Sequence, residues 1–349
     1  MNKFTSTLDL KYPIVQGPFG GGLSSIELVK TVSNFGGLGS FGAHHLSPER
    51  IEVLVKELNA ATSGAFSINL WVSNNDHYIS ALSRSKYAEY AKRFEPIYAR
   101  LGVPAPPYKE FLSEDFDEQL QAAISAAPPA ISFVFGVPSA AALAECRRKN
   151  IITMGTATTL KEALMLEEAG VDIIVASGFE AGGHRVSFLQ EPENCLMGGM
   201  ALIPQVADRI SAPIIAAGGI ADVRGVRAAM SLGAQGVQIG TAFLACQESG
   251  TSDLHKRVLR KNRAHQTVLS RAYTGRLARF IENDFIREIN NAPDLPLPFP
   301  IQSYFAAPIK EAAIEQGSAG FAAHYAGQNA PLLHHSKAMD LLESLVVDF

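Results

Sequence analysis

The chain has 349 residues, of which 47 % are hydrophobic and 18 % charged, and its formal net charge is −4. Such a chain can bury a large core, which excludes a disordered protein. The slight acidity, without any Lys/Arg tract, argues against nucleic-acid or membrane surfaces and favours small molecules as partners.

In chain order, short apolar runs alternate with amphipathic helical patterns. Residues 12–17 read as a first strand and 24–35 as a helix, followed by a strand at 38–43, a helix at 48–61 and a strand at 65–71. Residues 73–115 form a longer, polar, helical insertion with a Pro-rich piece at 104–107. The alternation resumes with a helix at 116–126, a strand at 131–136, a helix at 139–149, a strand at 151–155 and a helix at 159–169. A strand at 172–177 then runs into Glu180, Ala181, Gly182, Gly183 and His184. A loop at 186–198 leads to a helix at 200–210, a strand at 213–218, a helix at 221–232 and a strand at 236–240. Residues 247–300 read as a helical and irregular excursion that ends Pro-rich, and 301–349 as a helical segment closing back on the rest.

Eight strands with intervening helices predict an α/β fold, a (β/α)8 TIM barrel with helical insertions after strand three and after strand eight, because an open doubly wound sheet more often has five or six strands. The barrel would be assembled from residues 1–72 and 116–246, with 73–115, 247–300 and 301–349 as additions. The three cysteines, Cys146, Cys195 and Cys246, are widely spaced and include no CxxC pair. No disulfide framework and no metal site is therefore expected, and a cytoplasmic setting fits. The first fifteen residues carry no apolar stretch of signal-peptide length. The most apolar window, 122–143, is broken by Pro128, Pro129, Gly136 and Pro138, which argues against a membrane span.

Barrel topology converts sequence position into geometry, since all strand ends face one mouth. Gln16, Gly42, Asn69, Ser177, His184, Gly219 and Gln238 should converge there. Gly182 and Gly183 let a backbone approach a ligand closely, and His184 adds a titratable nitrogen at the same spot. A Gly-rich loop with an ordinary surface histidine is the plainer reading of that segment. The turns Ala217-Gly218-Gly219-Ile220 and Gln238-Ile239-Gly240-Thr241 lie where such barrels bind phosphate, through bare amides and a helix N-terminus. Tight strand-to-helix turning alone would also explain Gly218 and Gly219. Asn69 sits in the apolar run SINLW, where an unpaired amide costs about 2 kcal/mol or more. Its partner is either a ligand edge or neighbouring backbone. His44 and His45 could reach the mouth, Glu180 and Arg185 read more readily as a structural ion pair than as substrate contacts, and Trp71 reads as core filling.

The stretches YPIVQGPFGGG, SNFGGLGSFGAHHLSPERI, FSINLWV, GFEAGGHR, AAGGIADVRGV and GAQGVQIGTAFLACQES, with the late AGQ, together resemble the nitronate monooxygenase family, formerly called 2-nitropropane dioxygenases. The resemblance runs nearly end to end and implies a barrel that binds FMN. Flavin contacts are implied at Asn69, Gly182, Gly219, Gln238, Ile239, Gly240 and Thr241, and the catalytic base at His184. Gly183 and Gly218 belong to the same glycine turns. Gly20, Gly21 and Gly22 retain the capacity for close approach to the flavin, although Phe19 stands where a methionine is usual. Ser177 replaces a glutamine, so that flavin contact is lost, filled by water or supplied by another residue.

The implied chemistry is oxidation of an alkyl nitronate through a flavin semiquinone, with O2 as co-substrate and release of nitrite and a carbonyl compound. A neutral nitroalkane must first lose its α-proton, a task suited to His184. Related FMN-dependent enoyl-ACP reductases, which use NAD(P)H, share much of this barrel, and a noncatalytic flavin- or phosphate-binding relative is a third reading. Tyr304, Arg276 and Arg279 lie where the family closes over the flavin. A homodimer is compatible with the sequence, which does not fix the oligomeric state.

Overall fold

The computed structural model describes residues 2–72, 81–110, 112–261 and 264–346. Residues 73–80, at the start of the expected first insertion, lie outside them, as do 347–349 at the end of the closing segment. The parallel strands are β1 (Ile14–Gln16), β2 (Gly39–Gly42), β3 (Phe66–Trp71), β4 (Ala130–Val134), β5 (Ile152–Ala157) and β6 (Ile173–Ser177). After a two-residue strand outside the barrel, β7 (Gly183–His184), come β8 (Ile214–Ala217) and β9 (Gly236–Ile239). They pair in the order β1-β9-β8-β6-β5-β4-β3-β2. A parallel bridge between Val15 and Leu38 brings β1 against β2 and joins the two ends of the sheet into a barrel. Of the described helices, none is long and apolar enough to cross a membrane.

Alternation within each strand explains why both faces are apolar. Val15, Met154, Ile173, Val175 and Ile215 fill the barrel interior, while their neighbours Ile14, Ile174, Ala176, Ile214 and Ala216 pack outward against the helices. Helices begin where a side-chain oxygen can take an orphan amide: Ser25, Ser47, Ser139, Thr159 and Asp222 each accept an N–H two or three residues on. The foot of the barrel is stopped by Phe4, on the short helix Lys3–Thr7, which is fully buried among Val15, Leu38, Ala130 and Ile173.

Above the mouth the two insertions combine into a cap. Helix Arg84–Leu101 packs against helices Asp284–Asn291 and Ile301–Glu315 through Phe94, Tyr98, Phe285, Phe305 and Ile309. The Tyr98 hydroxyl donates to the Phe305 carbonyl at 2.8 Å. The excursion after β9 is not only helical and irregular: it contains a hairpin, β10 (Thr267–Ser270) and β11 (Ala278–Ile281), and β7 adds to its edge. The histidine segment thus belongs to a small antiparallel sheet of the cap, not to a free loop of the barrel.

Candidate active site

A cavity of ≈ 500 Å³ lies between the carboxyl ends of the barrel strands and the cap. Gly20, Gly21, Asn69, Ser177, Gly182, Gly183, His184, Gly218, Gly219, Gln238, Gly240 and Thr241 all line it. Two expected contacts do not. Gly22 lies outside the lining, and the Ile239 side chain is fully buried in the core behind β9 while its carbonyl accepts from Gly17 N–H at 2.8 Å. Gly20 is needed for a reason other than the one read from sequence: a Cβ there would come within 2.1 Å of the His44 ring, so the glycine seats His44.

One end of the cavity is made of backbone. The N–H groups of Gly219, Ile220 and Ala221 donate to no acceptor among the described residues, and they precede helix Val223–Ser231. Gly219 adopts φ +69°, a conformation open to glycine at little cost. Thr241 Oγ1 accepts from Gly327 N–H at 2.9 Å, Gln328 N–H donates to the Glu180 carbonyl at 3.0 Å, and the Asn329 amide donates to the Gly219 carbonyl. The late AGQ turn is thereby stitched to the glycine turns. Free amides in a row, beside a helix start, suit a phosphate dianion.

The middle carries one polar side chain from each of four successive strands: Asn69, Ser132, Thr156 and Ser177. Of the two alternatives for Asn69 the structure shows the contact to the neighbouring strand: its amide nitrogen donates to Ser132 Oγ (3.0 Å) and the Ser132 carbonyl (3.2 Å), and its oxygen has no partner among the described residues. Ser177 faces the same space.

At the other end is His184. Its Nε2 lies 2.9 Å from Thr274 Oγ1, and the ring is held edge-on to Trp71, centroids 4.9 Å apart, and tilted on Tyr325 at 5.9 Å. Burial pushes the imidazole down to about 3, assisted by the charges of Arg276 and Lys310. It is therefore neutral at physiological pH and able to accept a proton. Arg276 lies over Phe135 (3.8 Å) and Phe299 (4.5 Å), within a box of aromatic faces. Trp71, read as core filling, is instead part of the cavity wall and stacks on His44 at 3.7 Å with nearly parallel rings. His44 is buried and its pKa is lowered, first by desolvation and then by His45, His184 and Arg276. Both His44 and His45 line the cavity.

The anticipated Glu180–Arg185 ion pair is not formed. Arg185 is buried and donates to the carbonyls of Ser177, Gly178 and Cys195, tying the end of β6 to the loop after β7, while Glu180 accepts from Gly199 N–H at 2.9 and 3.0 Å. Glu162, fully buried, holds the same loop by accepting from Phe188 N–H at 2.7 Å and Leu189 N–H at 3.2 Å. Arg279 donates to the Phe179 carbonyl at 2.9 Å, and the Tyr304 hydroxyl to the Pro107 carbonyl, so both brace the cap. Sequence reasoning passed over Thr274, Phe299, Lys310 and Tyr325, all on the wall. Only knowledge that 267–281 forms a hairpin would have brought Thr274 to His184.

Comparison with known proteins agrees with this geometry. The nitronate monooxygenase family model matches residues 2–348. A probable nitronate monooxygenase of Staphylococcus saprophyticus is 36 % identical over 346 residues, covering 99 % of this chain and 96 % of that one. One from Staphylococcus aureus is 36 % identical over 348 residues, again covering 99 % and 96 %. Among solved structures, a nitroalkane oxidase from Streptomyces ansochromogenes superposes with a TM-score of 0.89 at 32 % identity, covering 99 % of this chain and 97 % of its own. FabK from Thermotoga maritima has a TM-score of 0.75 at 24 % identity, covering 99 % and 95 %, a likeness of fold. The chain is an oxidoreductase that belongs to the nitronate monooxygenase family.

Proposed function

We propose that the protein is an FMN-dependent nitronate monooxygenase that converts alkyl nitronates, and neutral nitroalkanes after deprotonation, with O2 into a carbonyl compound and nitrite. The observation that carries this reading is the pairing of a neutral imidazole, His184, with a row of unsatisfied amides across one cavity. The residues fit FMN. Its phosphate would be held by the N–H groups of Gly219, Ile220 and Ala221 and the turn at Gly240 and Thr241; the Asn69 oxygen and the Gln238 side chain offer polar contacts to the ring system. When bound, FMN supplies the electron acceptor that no amino-acid side chain provides.

The remaining steps belong to the protein. His184 takes the proton from the α-carbon of a nitroalkane, a step that a substrate supplied as nitronate does not need. Arg276 and Lys310 favour both the neutral base and the anion it generates, since each stabilises negative charge nearby. The aromatic faces of Trp71, Phe135 and Phe299 pack together at this end. The test compares partners: purified protein should release FMN, consume O2 with an alkyl nitronate and release nitrite, with negligible oxidation of NADH or NADPH. Fast NAD(P)H turnover with an enoyl thioester would replace this reading with the reductase one.

A further inference from the structure

We propose that His44 is a specificity-determining residue: stacked on Trp71, it forms a fixed wall beside His184 that admits nitronates whose reacting carbon carries one unbranched chain and turns away those with bulk at that carbon. The inference rests on the functional reading above and narrows its substrate class. Both residues line the cavity, His44 from the turn after β2 and Trp71 from the end of β3. The His44 ring lies flat on the indole, with centroids 3.7 Å apart and planes 8° from parallel. The indole in turn meets His184 at 4.9 Å, Phe135 at 4.9 Å and Phe299 at 5.5 Å. In so closely packed a cluster it cannot swing aside without displacing another ring. A substrate whose α-carbon stands against His184 therefore meets the Trp71–His44 pair with the groups that carbon carries.

His44 is held by shape. Its backbone is pinned by the buried Gln119 of helix Phe116–Ala126, whose amide donates to the His44 carbonyl at 3.0 Å and to the Leu46 carbonyl at 2.7 Å. One ring edge rests on Gly20, where a Cβ would take its place, and Gly20 lies on β2 because Gly42 also lacks a side chain: a Cβ there would come within 2.7 Å of the Gly20 nitrogen. His45 meets the ring edge-on at 5.3 Å, and its own Nδ1 accepts from Gly21 N–H at 3.3 Å. Nδ1 of His44 is buried with no hydrogen-bond partner among the described residues, so no polar contact at that nitrogen orients the ring. Burial, with His45, His184 and Arg276 nearby, holds the imidazole well below its ordinary value, and it keeps an uncharged face against Trp71. A ring fixed by packing on a cavity wall defines the shape of the space beside it. The cavity of ≈ 500 Å³ must take flavin and substrate together, which leaves the substrate little slack. A misfit there has a large effect, since one methylene in a fitted pocket changes kcat/KM by about 10-fold or more.

The test uses two preformed nitronates on the FMN-loaded protein, so that proton removal does not enter: ethyl nitronate, which is slim, and cyclohexyl nitronate, whose reacting carbon lies in a ring. Wild type should favour ethyl nitronate by at least about 10-fold in kcat/KM, and His44→Ala, which opens the wall, should shrink that preference by about 10-fold. His44→Phe keeps a flat ring, loses both nitrogens and should hold the preference within about 3-fold of wild type. Trp71 is the chain's one tryptophan, so its fluorescence reports on the wall without turnover. Acrylamide quenching should rise in His44→Ala, which bares an indole face, and stay near wild type in His44→Phe. Flavin content and thermal unfolding show that both variants fold. An unchanged preference in His44→Ala, or no rise in its quenching, would overturn the proposal. So would a shift as large in His44→Phe as in His44→Ala, because a ring nitrogen and not the shape of the ring would then select the substrate. A wild-type protein inert toward both nitronates would overturn the functional reading instead, while the quenching comparison would still decide whether His44 covers the indole.

Discussion

The two ends of the cavity are built on different principles. The end at Gly219 is backbone on rigid barrel turns, whereas at the His184 end the cap delivers side chains from β7, from Thr274 in the turn before β11 and from helix Ile301–Glu315. Backbone amides need only the right local turn, so a few glycines after two strands specify them. Side-chain geometry at the other end depends on pairing across long sequence distances: His184 meets Ala278 in the sheet and Thr274 through its ring. The first end should resist changes in the cap, and the second should be sensitive to them.

The contrast can be broken most forcefully at Gly219. In Gly219→Asp a carboxylate enters the site assigned to a dianion, and like-charge contact of this kind costs several kcal/mol, so FMN affinity should fall by at least about 100-fold. Gly219→Asn has nearly the same shape and tolerates a positive φ, and should lose much less. Flavin released from protein after gel filtration checks this, with thermal unfolding showing that both variants fold. Equal loss in the two would make shape, not charge, the cause.

The cap should fail before the barrel in acid. Burial, reinforced for His255 by its neighbour His324, holds His255 down to about 3, and burial holds His324 down to about 4, both below the ordinary imidazole value. Below pH 6.5 the unfolded chain therefore binds protons that the folded one does not. Their contribution is complete above pH 6.5 and is lost as pH falls toward 4, by roughly 2 kcal/mol for the pair over the first pH unit. Urea unfolding at pH 7.5 and 5.5 measures the loss, and amide exchange should show residues 267–325 opening before β4 to β6. Replacing His324 with Leu should flatten the dependence.

A smaller effect sharpens the chemistry. Because His184 is neutral down to about pH 3, nitroalkane kcat/KM should show no acid limb between pH 8 and 5.5, where an ordinary imidazole would lose about 10-fold. Arg276→Met removes one of the two cations that lower the imidazole. Its pKa then rises, and turnover at pH 5.5 should drop by less than about threefold. A steep limb near pH 6.5 in wild type would mean that His184 is not held neutral by its surroundings.

The barrel was readable because its signals are local and periodic: apolar runs such as Ile173 to Ala176 end at small residues, and helices such as those after Ser25, Ser47, Ser139, Thr159 and Asp222 start at a capping side chain. The backbone end was readable for the same reason, through Gly218, Gly219, Gly240 and Thr241. Legibility failed where contacts are long-range. β10 and β11 are each four residues long, and Arg279 interrupts the apolar pattern of β11; nothing local marks them as the partners of β7. Phe4 stops the barrel by a contact with the far end of the chain's β strands, which no spacing rule anticipates. Arg185 looked like half of an ion pair because the carboxylate Glu180 was near in sequence, yet carbonyls at the end of β6 take its hydrogen bonds. The hydroxyl of Thr274 carried no motif at all.

The central claim, that one cavity couples a backbone-held flavin to a neutral histidine base, is tested most directly by His184→Asn with two substrates. Asn keeps a polar shape but cannot accept a proton near neutral pH, and general-base assistance is typically worth about 100- to 10,000-fold. On protein shown to retain FMN, kcat/KM for a neutral nitroalkane should fall within that range, and kcat/KM for the corresponding nitronate should fall far less. Equal losses for the two substrates, or no loss for the nitroalkane, would contradict the account.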